Sequence, residues 1–184
     1  MDRHTRSQLT AVAVGLLLVS GSVLAADWPQ FRGPDHDGVS DETGLLDSWP
    51  ASGPKELWRI DLGEGYSAPS VVDGTVYTLF AAGQDTFAVS IDGATGEERW
   101  RTRVDKKWTD GQGNGPRSTP AVEGDVVYVV SGRGKLYALA TKDGKEIWHH
   151  DLQEEFGARI PRWGFSSSPV IDGSRLLLEV GGKD

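Results

Sequence analysis

The sequence predicts an all-β protein built from repeated four-stranded antiparallel units. Three observations carry this expectation. The chain has 24 glycines in 184 residues, about twice the usual ~7 % share, so turns are frequent. A Ser-x-Pro segment recurs three times at nearly constant spacing. Beyond the N-terminal leader, no stretch sustains the 3.6-residue apolar period of an amphipathic helix.

The leader comes first. Arg3, His4 and Arg6 make a net-positive head, and an apolar run from Leu9 to Val19 follows it. Val23 and Ala25 then place small residues at the −3 and −1 positions of a cleavage site. This is the layout of a secretory signal peptide over residues 1–25, cut after Ala25. The apolar run is shorter than the ~20 residues a spanning helix needs, so no stable membrane span is expected after cleavage. The expected location is the periplasm or the medium. Residues 26–55 read as an extended N-terminal segment.

The repeat occupies residues 56–184. Ser67-Ala-Pro-Ser-Val-Val-Asp-Gly74, Ser118-Thr-Pro-Ala-Val-Glu-Gly124 and Ser167-Ser-Pro-Val-Ile-Asp-Gly173 align on Pro69, Pro120 and Pro169. A second element, Asp92-Gly-Ala-Thr-Gly-Glu-Glu-Arg-Trp100, recurs as Ala140-Thr-Lys-Asp-Gly-Lys-Glu-Ile-Trp148. Each copy places Trp four residues after Gly, at Gly96/Trp100 and Gly144/Trp148, and Trp58 resembles the end of an earlier copy. Each unit divides into short strands separated by turn residues. In the clearest copy these are Ser118–Val122, Val126–Ser131, Lys135–Ala140 and Lys145–His149.

Four strands repeated at about 40–50 residues describe a β-propeller blade. One such sheet cannot bury both faces, so neighbours stack. The regularly spaced Trp rings are expected between blades, as structure rather than cofactor platform. The expected division is a strand at 56–62, blades at 66–104 and 116–152, and an incomplete blade at 165–184. From Pro120 to Trp148 is a step of 28 residues that, taken from Pro169, runs past Asp184. About two and a half blades are therefore expected, as in a C-terminally truncated propeller, with the 56–62 strand pairing outside the chain.

On these residues the chain resembles the pyrroloquinoline-quinone (PQQ)-like propeller repeat family. Asp27-Trp-Pro-Gln-Phe-Arg-Gly-Pro34, Gly113-Asn-Gly-Pro-Arg117 and Trp163-Gly-Phe-Ser-Ser-Ser-Pro169 are similar to segments of exported bacterial members. Ala140 departs from the pattern, because it stands where the previous copy has Asp92. The resemblance implies one of two functions. The first is a non-catalytic binding or scaffold propeller, similar to the outer-membrane assembly propeller and without a cofactor. The alternative is a PQQ- and calcium-dependent alcohol or sugar dehydrogenase. A sensor domain on a larger polypeptide is a third possibility.

Composition narrows the chemistry. With 19 basic against 27 acidic residues and a net charge of −8, nucleic acid is not an expected partner. The absence of Cys removes disulfides, thiolate zinc sites, a cysteine nucleophile, an N-terminal lipid anchor and the vicinal Cys pair of many quinoprotein dehydrogenases. No catalytic set and no metal site can be placed. Asp35-His-Asp-Gly38 lacks the spacing of a calcium loop, and His149-His150 on a strand would point to opposite faces. Two long loops remain, Lys106–Arg117 and Glu154–Phe165, both joining one blade to the next and so sharing one face. Both mix Trp with Arg, residue types enriched in binding hot spots. Trp108, Asn114, Arg117, Arg162 and Trp163 are the candidate contacts for a protein or small-molecule ligand at that face.

Overall fold

A computed structural model describes residues 26–181; the expected leader at 1–25 lies outside them. The first sheet contains β1 (Ser70–Val72), β2 (Thr75–Ala82), β3 (Asp85–Asp92) and β4 (Glu98–Lys106), paired antiparallel in chain order. The second repeats this with β5 (Ala121–Glu123), β6 (Val126–Val130), β7 (Lys135–Ala140) and β8 (Glu146–Asp151). A third begins as the hairpin β9 (Val170–Asp172) and β10 (Arg175–Leu177). These are consecutive blades of a β-propeller. Successive inner strands β1, β5 and β9 lie side by side.

Alternation along the strands gives each sheet two apolar faces. Tyr77, Leu79, Ala88, Trp100 and Val104 of the first sheet meet Val122, Val127, Val129 and Leu139 of the second in one buried cluster. A second cluster joins Val130, Leu136 and Trp148 to Phe165, Leu176 and Leu178. The outer-strand Trp is aimed by a bulge. Ser90 pairs with Trp100 but its neighbour Ile91 pairs with Glu98, and Ala138/Trp148 and Leu139/Glu146 repeat the shift. One extra residue on the outer strand bends it locally and redirects the ring.

The rings reach forward by one unit. Trp100 donates its indole N–H to Thr141 O at 2.7 Å and covers Gly144, where an added Cβ would lie 2.5 Å from Cε3. Trp58 does the same one unit earlier, donating to Gly93 O at 2.8 Å and covering Gly96. Both glycines have left-handed backbone, with φ of 77° at Gly96 and 68° at Gly144. Trp148 is half-buried against Tyr128, with ring centroids 5.8 Å apart. In the first turn Asp92 Oδ1 accepts from the N–H groups of Ala94 and Thr95; Ala140 has no side-chain acceptor to repeat this.

Three details differ from the sequence expectation. Residues 56–62 form no strand; the ladder contact nearest them is the Glu64–Ala81 bridge. A strand needs a partner edge, and here Trp58 and Leu62 pack on Phe80, Val89 and Ile91 through side chains instead. The inner strand of the second blade starts at Ala121 rather than Ser118. Pro120 has no N–H for a ladder, and the Ser118 and Pro120 carbonyls accept from Ser67 Oγ and Ser70 Oγ of the preceding unit, both at 2.6 Å. The second long loop opens with a one-turn helix, α1 (Leu152–Phe156). Asp151 caps it by accepting from Gln153 and Glu154 N–H, and Gly157 ends it in the left-handed conformation.

Candidate functional site

β1 and β5 descend from the end at which β4 and β8 finish, so the connections 107–120 and 152–169 share one end of the sheets. Between them lies a cleft of about 300 Å³ lined by Tyr66, Gln112, Arg117, Trp163 and Ser166. Tyr66, Arg117 and Ser166 each stand three residues before the repeat proline of their unit. The same register position on three inner segments thus converges on one cavity.

The first loop is folded around its own polar groups. Arg117 donates to Asp110 Oδ2 at 2.9 Å, to Gly113 O at 2.9 Å and to Gly115 O at 3.2 Å. The Trp108 indole N–H donates to the same Asp110 oxygen at 2.8 Å, and Gln112 N–H to the other at 2.6 Å. These bonds, led by the Gln112 N–H and followed by Trp108, hold the Asp110 carboxyl below its ordinary pKa. Arg117 also lies over the Tyr66 ring, 5.4 Å from its centroid. Glu64 is held the same way: Asn114 donates to Oε1 at 2.8 Å and Lys107 to Oε2 at 2.7 Å. Asn114 first, then Lys107, lowers the Glu64 pKa.

The five residues chosen from sequence therefore separate. Arg117 and Trp163 line the cleft. Trp108 is half-buried beneath the loop against Gly132 and Gly164, and Asn114 ties the loop to Glu64. Arg162 is exposed and stacks on Trp163, 5.5 Å from the ring centroid. Sequence reading missed Tyr66, Gln112 and Ser166. The signal for Tyr66 and Ser166 was their alignment with Arg117 three residues before the repeat proline.

The cleft chemistry is aromatic and amide-like around one neutralised cation. Trp163 and Tyr66 keep 53 % and 61 % of their surface exposed, so two rings stand at its mouth. PQQ is a tricarboxylate that would need several free cations, with calcium held by free carboxylates. Arg117, the cation lining the cleft, is bound to Asp110, and the nearby carboxylates Glu64 and Asp110 already accept from protein donors. The described cleft residues do not fit that pair. Among the described residues no helix is long and apolar enough to cross a membrane.

Blades with converging inner strands and a loop-built cleft at one end define a β-propeller. A family model described as outer membrane protein assembly factor BamB matches residues 38–182. The chain belongs to this family. It is 30 % identical over 140 residues to the serine/threonine-protein kinase AfsK of Streptomyces griseus, covering 73 % of this chain and 16 % of the kinase. It is 28 % identical over 139 residues to BamB of Burkholderia pseudomallei (strain K96243), covering 74 % of this chain and 34 % of that protein. The chain thus spans about a sixth and a third of these curated relatives. Of the solved structures, the quinohemoprotein alcohol dehydrogenase of Comamonas testosteroni superposes with a TM-score of 0.57 at 22 % identity. That match covers 85 % of this chain and 23 % of the dehydrogenase, and it shows the fold.

Proposed function

We propose that the chain is a non-catalytic, exported β-propeller module that binds protein through its loop face. The observation that carries this reading is the cleft. Two exposed aromatic rings, Tyr66 and Trp163, flank an Arg whose position is fixed by Asp110 and two carbonyls. Aromatic and Arg anchors around a pocket are the usual content of a protein-binding hot spot. The relatives support it from another side. An assembly factor and a kinase contain a stretch similar to this chain, an oxidoreductase shares its fold, and a binding face is what a propeller can contribute to all three. The reading places the protein in the periplasm or outside the cell, following from the leader, with no cofactor needed for the binding.

The test is site-specific photo-crosslinking in the full-length exported protein, with the photoreactive residue at position 66 or 163 and, as control, at position 143 at the other end. A defined protein joined from 66 and 163 and not from 143 is expected. Tyr66→Ala and Trp163→Ala should each weaken its measured binding about 30-fold, or ~2 kcal/mol. Unchanged affinity in both variants refutes the cleft as the contact. Stoichiometric uptake of PQQ and calcium with dye-linked alcohol oxidation refutes the non-catalytic reading.

A further inference from the structure

The segment Asp27–Pro34 lies at the end of the sheets opposite the cleft. Trp28 and Val71 exchange both backbone hydrogen bonds, at 2.7 and 2.9 Å. Pro29 O then accepts from Val122 N–H at 2.9 Å, so two successive residues bridge the inner edges of β1 and β5. Asp27 Oδ1 accepts from Asp73 N–H in the β1–β2 turn at 3.0 Å. Gln30 behind them is buried, with 8 % exposure. Sixteen residues on, the chain returns: Ala26 N–H donates to Glu42 Oε1 at 2.7 Å.

We propose that residues 26–42 form a maturation clasp. Removal of the leader before Ala26 creates an α-ammonium that pairs with Glu42 and fastens Trp28–Gln30 across β1 and β5 at the end opposite the cleft. The chemistry of the Ala26 nitrogen carries the inference. Inside a longer chain it is a neutral amide with one N–H. Once water has hydrolysed the Ala25–Ala26 amide, hydroxyl going to the carbonyl carbon and a proton to the nitrogen, it is an amine. Such an amine has a pKa of ~7.7–8.0 and is charged at neutral pH. The amide hydrogen bond to the carboxylate is already charge-assisted on the acceptor side; cleavage adds the attraction between opposite charges at hydrogen-bond distance. The enzyme class required is an export peptidase, so the inference rests on the leader reading and is independent of what binds the cleft.

The test uses the full chain exported by a bacterial host. N-terminal sequencing and intact mass should show the mature protein beginning at Ala26. The native α-amine should then be acylated by an activated acetate ester at pH 7 at least threefold more slowly than in Glu42→Gln, an exposed position whose change leaves the fold intact. Trypsin should cut after Arg32 at least fivefold faster in Trp28→Ala, where the bridge is weakened. A terminus elsewhere, equal acylation in both proteins, or equal cutting at Arg32 overturns the clasp.

Discussion

Gly144→Ala tests the packing between blades most directly. Gly144 has φ of 68°, and an added Cβ would lie 2.5 Å from Trp100 Cε3 and 2.6 Å from Thr102 Oγ1. Left-handed backbone costs an Ala about 1–2 kcal/mol. Forcing a methyl into a packed seam adds about 1–3 kcal/mol, for an expected loss of about 2–5. Gly124 supplies the control. Its φ is 54° with nothing within 4 Å of the added Cβ, so Gly124→Ala should show the ~1–2 kcal/mol backbone cost alone. Trp100→Ala removes a buried ring and its bond to Thr141 O, for about 3–5 kcal/mol. With the ring gone, Gly144→Ala should cost about 1–2 kcal/mol less than in the wild type, because the larger clash has disappeared. Urea unfolding of the wild type, the three single variants and the double variant measures every term. A Gly144→Ala loss equal to that of Gly124→Ala, or additive behaviour with Trp100→Ala, refutes the docking geometry.

The other predictions concern the turns. Asp92 is held down to about 2 by the Arg99 guanidinium and then by the Thr95 N–H. A depressed carboxylate contributes stability above its ordinary value of 3.8 and loses it as pH falls toward 2. The wild-type melting temperature should therefore drop more steeply between pH 4 and 2 than that of Asp92→Asn, read by scanning calorimetry. In the second turn, Ala140→Asp should restore the missing acceptor for the Lys142 and Asp143 N–H groups. A gain of about 0.5–1.5 kcal/mol in urea unfolding is expected, and a loss would mean that the two turns are not equivalent.

The blades were legible because three sequence signals agree on them. Glycine turns, alternating strands and the Gly-to-Trp spacing all repeat, and the observed pairings of β2–β4 and β6–β8 follow them. The short helix at Leu152 was not legible, since one turn carries no periodicity. Its signal lies in Asp151 and Gly157, a cap and a stop with five residues between them. Residues 56–62 alternate well enough for a strand, but pairing depends on a neighbour's edge and not on local pattern. At the cleft, Arg117 and Trp163 were visible as unusual residues in long loops. Trp108 and Asn114 looked alike in sequence and differ in the structure, because only the fold determines that Asp110 and Glu64 hold them.

The serine hydroxyls between inner strands govern how neighbouring blades are spaced. Ser67 and Ser70 each reach a carbonyl of the next unit, and Ser168 accepts from Thr119 N–H at 2.9 Å. Adjacent blades are thereby held at the length of one short arm plus one contact. Such an arm acts as a gauge for curvature: a longer side chain at these places would open the step, and a bare methyl would let the seam slide. The step from one blade to the next is set by some of the chain's smallest polar side chains.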